Sequence, residues 1–281
     1  MKRISILLCC LLLLLTGCGA EKTSETPILA ATTKPVQQFT AAIADGTGLT
    51  VDCIVSEPVS CLHDYSLSVT QMKLVERADL VILSGCGLEE FMESALRSAK
   101  DVTDASVNVE TLPGEDGADP HIWLDPARAK IMAQNISAAL SERYPQYAQT
   151  FAENFEKLSA RFDELAVYGA MRTEALSCRK LITFHDGFAY FAESLNLEML
   201  AAIEEEAGSE VAASDLISII ALVRENALPA IFTEVNGSES AAGLVASETG
   251  CHTFALNTAL GDDDYFTAMR KNYDAIREAL A

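Results

Sequence analysis

PQYAQTFAENFEKLSARFDELAVYGAMRTEAL, residues 145–176, carries a single apolar stripe. Tyr147, Phe151, Phe155, Leu158, Phe162 and Leu165 recur at intervals of four, four, three, four and three. That period places them on one face of a helix. Pro145 suits the first turn, where its missing N–H costs little, and Gly169 is the only later Gly or Pro in the stretch. A helix of about 30 residues is about 45 Å long. It is too long to cross between neighbouring strands, so it reads as a strut joining two lobes.

Outward from that strut, both halves alternate short apolar runs with helical patterns. Before it, strands are expected at 28–33, 50–55, 80–84 and 106–109, with helices at 35–44, 69–77 and 88–98. After it, strands are expected at 181–184, 199–203, 230–234 and 252–256, with helices at 187–195, 213–225, 238–249 and 264–280. Such alternation predicts parallel sheets covered by helices. The fold class expected is therefore α/β: two parallel-sheet lobes, 28–144 and 179–281, bridged by one long helix over 145–178, with a site in the interlobe cleft. The halves share an architecture but no visible sequence similarity.

The remaining residues precede the first lobe. Lys2 and Arg3 lead an apolar run from Ile4 to Leu15. A run of about 12 is short of the roughly 20 residues a spanning helix needs, so residues 1–18 read as a leader peptide. Leu15-Thr16-Gly17-Cys18 resembles the bacterial lipoprotein signal, in which Cys18 becomes an acylated anchor in the bilayer. Residues 19–27 then read as a tether. This places the chain outside the cytoplasm, held to the cell membrane by lipid.

Composition is globular, with 49% hydrophobic and 22% charged residues. The formal charge of −21 argues against nucleic acid, which demands a basic face. Beyond the leader and Cys18, five cysteines remain: Cys53, Cys61, Cys86, Cys178 and Cys251. An odd number cannot all pair within one chain, and there is no CxxC pair to suggest a thiolate zinc cluster. Most of the five read as small buried hydrophobes, with any pairing left open.

The chemistry rests on histidine. Of four in the chain, His63, His121 and His185 occupy strand ends or loops beside them. In open α/β sheets, ligands bind outside the carboxyl ends of the strands, where distant loops converge. Three neutral imidazoles with one oxygen ligand suit Zn2+; Mn2+ calls for more carboxylate. Carboxylates near each histidine could orient the ring through its second nitrogen. Asp125 before Pro126 and Asp186 before Gly187 read first as helix N-caps. His252, at the start of a strand, is left out of the site.

Residues 28–281 resemble the metal-binding receptor lipoproteins of bacterial ABC importers for zinc and manganese, the cluster A-I substrate-binding proteins. The resemblance rests on Cys61-Leu62-His63-Asp64-Tyr65, Asp119–Pro126, Phe184–Phe191 and Tyr265–Asn272. It implies metal ligands at His63 and His121 from the first lobe and His185 from the second. It also implies a monomer that hands its cargo to a membrane permease. Manganese members typically carry Glu at the position of His185, so the histidine favours zinc, with a manganese-preferring receptor as the alternative. The family's usual acidic fourth ligand falls at Asn257, a weaker donor. Glu234, Glu204, Glu205, Glu206 or water are the other choices for that position. The loop before His121, residues 113–118, is short and lacks histidine, and reads as a solvated turn. An exported zinc hydrolase is a lesser alternative, since three histidines with an open position also suit catalysis. There is no HExxH and no marked general base, so no enzymatic role is expected. A strut of this length is expected to resist wide hinge opening, leaving metal release to local loop movement.

Overall fold

The computed structural model describes residues 26–59, 62, 65–114, 117–204, 212–235 and 240–281. Cys18, Cys61, His63, Glu205 and Glu206 lie outside the described residues, as do the leader and most of the tether.

The first lobe begins with β1 (Ile28–Ala31), α1 (Lys34–Ala44) and β2 (Thr50–Cys53). Next come α2 (Val69–Arg77) and β3 (Leu80–Leu83). α2 starts where its sequence dictates: Ser68 accepts from the Gln71 N–H and the Gln71 side chain returns the bond, a capping box. A 3-10 turn at Leu88–Met92 and the short α3 (Glu93–Leu96) stand where one helix was expected. β4 (Val102–Asp104) closes the sheet, in the parallel order β2-β1-β3-β4.

That last strand lies earlier than the expected 106–109. The Asp104 carboxylate accepts from both the backbone N–H and the hydroxyl of Ser106, and Asn108 takes φ 60°. Together they turn residues 105–109 out of the sheet. β5 (Pro113–Gly114) pairs antiparallel with β6 (Gly117–Ala118) before His121.

α4 (Pro126–Arg143) then packs against the strut, α5 (Ala148–Thr173). The first residues of the predicted helix, Pro145–Tyr147, form a separate 3-10 turn. α5 therefore has 26 residues, about 39 Å. Phe151, Leu158, Phe162 and Leu165 are buried on the predicted face. Gly169 has a packing reason: a Cβ there would stand 2.8 Å from the ring of Tyr273.

The second lobe comprises β7 (Lys180–His185), α6 (Ala189–Ser194), β8 (Glu198–Glu204), α7 (Ala213–Glu225), β9 (Ala230–Glu234), α8 (Ser240–Thr249), β10 (His252–Leu256) and α9 (Tyr265–Leu280). Its parallel sheet runs β10-β9-β7-β8. In order of appearance, both sheets therefore read second-first-third-fourth.

One apolar core runs through both lobes. Phe39 on α1, Phe162 on α5 and Tyr265 on α9 meet edge to face with centroids 4.9–5.7 Å apart. A separate small core, including Ile182, Ile219, Ile231 and Val245, fills the side of the second sheet under α7 and α8. Cys53, Cys86, Cys178 and Cys251 are free thiols, of which only Cys251 is buried by residue exposure. The Cys53 thiol donates to the Val55 carbonyl, and burial of the sulfur pushes its pKa up to about 12.

Candidate metal centre

The second lobe supplies its half of the site from strand ends. His185 is the last residue of β7 and Glu234 the last of β9. Those strands are neighbours, and the chain leaves β7 for β8 on one side and later for β9 on the other. Such a switch point opens a crevice at the carboxyl ends of the strands. His185 and Glu234 are 1% and 6% exposed, with Nε2 and Oε1 3.8 Å apart.

The first lobe supplies His121 from a loop, between the β5–β6 hairpin and the 3-10 turn Ile122–Leu124. No strand fixes this residue, so side chains do. The Asp119 carboxylate accepts from the His121 backbone N–H at 2.9 Å and faces its Nδ1 at 2.8 Å. A carboxylate acts only as an acceptor, so it holds the proton on Nδ1 and leaves the Nε2 lone pair exposed in the neutral ring. Trp123, fully buried and bonded through its N–H to the Thr258 carbonyl, stands 5.4 Å from the imidazole. Asp125 performs the expected N-cap on α4, accepting from the Ala127 N–H, and also pairs with Arg128 at 2.8 Å.

The two rings meet across the lobes. Their Nε2 atoms are 3.3 Å apart, and the rings lie edge to face. Two nitrogens on a tetrahedral zinc, each about 2.0–2.1 Å from the ion, lie about 3.3 Å apart. The pair therefore stands at the spacing that one ion imposes on two of its ligands. Among the described residues, no group of three or more His, Cys, Asp or Glu is placed to hold a metal ion by itself. They supply two imidazoles and the adjacent Glu234.

Gly187 is the site residue that pattern reading passed over. A Cβ there would come within 2.7 Å of His185 Cδ2 and Nε2, and 3.1 Å of His121 Cδ2. Only a residue without a side chain lets the backbone pass so close to both rings. The sequence places it two residues after His185, where it was read as a helix start. α6 begins instead at Ala189, with Phe188 at its N-cap position and no side-chain cap bond. Asp186 therefore precedes the helix and is not its N-cap, contrary to expectation.

Asn257 is buried after β10, with its side chain engaged within its own loop. Its Oδ1 accepts from the Ala259 N–H at 2.8 Å, and its Nδ2 donates to Asp263 at 3.2 Å. Glu204 ends β8, opposite His185 in the ladder.

Tyr190 was also missed as a site residue. It projects from α6 with no exposed surface, and its hydroxyl reaches the first lobe. Burial pushes this phenol up to about 12, so it keeps its proton.

Two α/β lobes of like strand order, joined by a long helix and meeting over paired imidazoles, define the class of two-lobed binding proteins with a helical bridge. The chain belongs to the family described as ZnuA, zinc-uptake complex component A, periplasmic, whose sequence model matches residues 29–279. It is 28% identical to the zinc-binding lipoprotein AdcA of Streptococcus pneumoniae serotype 4, over 99% of this chain but 61% of that protein. The chain thus spans about three fifths of that relative's length. It is 25% identical, over the whole of both chains, to the manganese-binding lipoprotein MntA of Halalkalibacterium halodurans. A crystal structure of ZnuA superimposes with a TM-score of 0.81 at 26% identity, over 91% of this chain and 99% of that one. The periplasmic zinc-binding protein TroA of Treponema pallidum shares the fold with a TM-score of 0.83 at 22% identity, over 92% and 100% of the chains.

Proposed function

We propose that this protein is an extracytoplasmic receptor that captures Zn2+ and delivers it to the permease of an ABC-type importer. The observation that carries the reading is the 3.3 Å separation of the His121 and His185 Nε2 atoms, one from each lobe. Asp119 supports it by presenting the His121 lone pair. His63 joins the ligand set from the sequence motif. For the fourth position we favour Glu234, whose carboxylate adjoins His185, over Asn257, whose amide oxygen already holds the Ala259 N–H. Three neutral imidazoles and one carboxylate match the borderline softness of zinc.

In this reading, residues 1–18 are a leader, Cys18 carries the lipid anchor, and the tether lets a monomeric receptor reach the permease. No helix among the described residues is long and apolar enough to cross a membrane. Zinc is cargo here, and no reaction is assigned to the chain. The manganese reading draws on the relative MntA, and competition separates the two.

Elemental analysis of the purified full chain in detergent, with Zn2+ and Mn2+ titrations, tests the proposal. About one zinc per chain is expected, with affinity falling as pH drops and imidazoles protonate. Binding of Mn2+ in preference to Zn2+ would reverse the cargo. Uptake of neither metal would end the receptor reading.

A further inference from the structure

The His121 loop belongs to the first lobe, yet one of its braces comes from the second. The Tyr190 hydroxyl accepts from the Leu112 N–H at 2.9 Å and donates to the Asp119 carbonyl at 2.7 Å. Leu112 and Asp119 flank the β5–β6 hairpin and bond to each other, the Asp119 N–H donating to the Leu112 carbonyl. One phenol thus clamps both roots of the hairpin. From Asp119 the chain of contacts passes through its carboxylate to the Nδ1 and backbone N–H of His121.

The phenol is itself held. The Arg128 guanidinium lies 4.7 Å from the centre of its ring. Arg128 also donates to the Glu110 carbonyl and pairs with Asp125 in its own lobe and, at 2.7 Å, with Glu193 in the other. Tyr190 and Glu193 are three residues apart on α6, so this short helix grips the first lobe twice. α6 begins four residues after His185. The segment that carries one imidazole therefore also sets the loop that carries the other.

We infer that Tyr190 is a positioning residue for metal capture, fixing His121 relative to His185 across the lobes through Asp119. The inference rests on the zinc-receptor reading and adds a residue to it. Its consequence is that the two imidazoles are pre-set before metal arrives, so little ordering remains for binding to accomplish. Loss of the hydroxyl leaves the Leu112 N–H and Asp119 carbonyl without this partner and lets His121 shift. A shift of a few tenths of an ångström suffices to distort a tetrahedral shell.

The test is Tyr190→Phe in the full chain, which removes one oxygen and keeps the ring. Zinc affinity, zinc release rate and the visible spectrum of the Co2+-loaded protein are compared with wild type. The expected result is a zinc affinity weaker by about 10- to 100-fold, faster release and an altered Co2+ spectrum. A merely structural tyrosine would lower the melting temperature of the metal-free protein and leave the Co2+ spectrum and affinity as they were; that outcome overturns the inference. Should Tyr190→Phe fail to fold, Arg128→Lys carries the test. It keeps the charge but loses the planar fork over the ring, and about a threefold loss with the same spectral change is expected. An unchanged spectrum and affinity in that folded variant also overturns the inference. Wild type that binds neither Zn2+ nor Co2+ would sink the receptor reading as well; normal binding by wild type and variant alike sinks the positioning role alone.

Discussion

The two lobes share a strand order but hold their imidazoles by different means. His185 ends a buried strand, so the ladder with β8 and β9 fixes its backbone. His121 lies on an irregular loop and depends on Asp119, Trp123 and a phenol from the opposite lobe. A sheet terminus needs little help to aim a side chain, whereas a loop needs a second set of polar contacts to do so. The same comparison explains where glycine matters. Beside the strand-held ring, the backbone at Gly187 passes so close that no Cβ fits.

The most severe way to break the comparison is to remove either ring. His185→Ala and His121→Ala should each weaken zinc binding by more than about 100-fold, beyond the usual effect of a supporting residue, measured by competition with a chelating dye. Equal tolerance of both changes would refute the paired-imidazole site. Gly187→Ala comes next. Its methyl group would press on the strand-held ring, with an expected loss of about 10- to 100-fold in zinc affinity and an overpacking cost of about 1–3 kcal/mol in stability; retained affinity would show that the backbone yields there.

A smaller effect separates site from scaffold. Glu89, in the 3-10 turn after β3, is buried and accepts from the Ser84 and Gly85 N–H groups. Burial outweighs those bonds and lifts its pKa from 4.5 to about 7. The native state therefore binds more protons than the unfolded chain between those values. The stability this carboxyl contributes is fully present below pH 4.5 and is lost as pH rises through about 7. Relative to wild type, Glu89→Gln should gain about 2–3 kcal/mol between acid and mildly alkaline pH, read from urea unfolding at both. A constant difference at the two pH values would contradict the assignment. The smallest effect belongs to His252, exposed at the start of β10. His252→Ala should leave zinc affinity within about twofold, in contrast to the two site histidines.

Much of the fold was legible because local chemistry and tertiary packing agree. The strands at Ala230–Glu234 and His252–Leu256 and the helices at Val69–Arg77 and Ala213–Glu225 stand where the pattern put them. Disagreements arose where polar side chains compete with regular structure, as Asp104 does at the end of β4. The meeting of His121 with His185 was expected from strand-end placement and a family motif. The roles of Gly187 and Tyr190 were not read, although both lie in the motif Phe184–Phe191. Tyr190 acts wholly across more than 70 positions of chain, and Gly187 meets His121 across 66 as well as its neighbour His185, which no local period records. Glu234 stood among several acidic candidates because its nearness to His185 is a matter of strand order.

The ring cluster of Phe39, Phe162 and Tyr265 has a consequence in time. A chain made from its first residue onward presents α1 early and α9 last. The core of the first lobe lacks one wall until Tyr265 and the rest of α9 arrive. Such long-range closure is slow compared with the forming of local helices. The first lobe of a growing polypeptide thus stays unfinished until nearly all of the chain has been made.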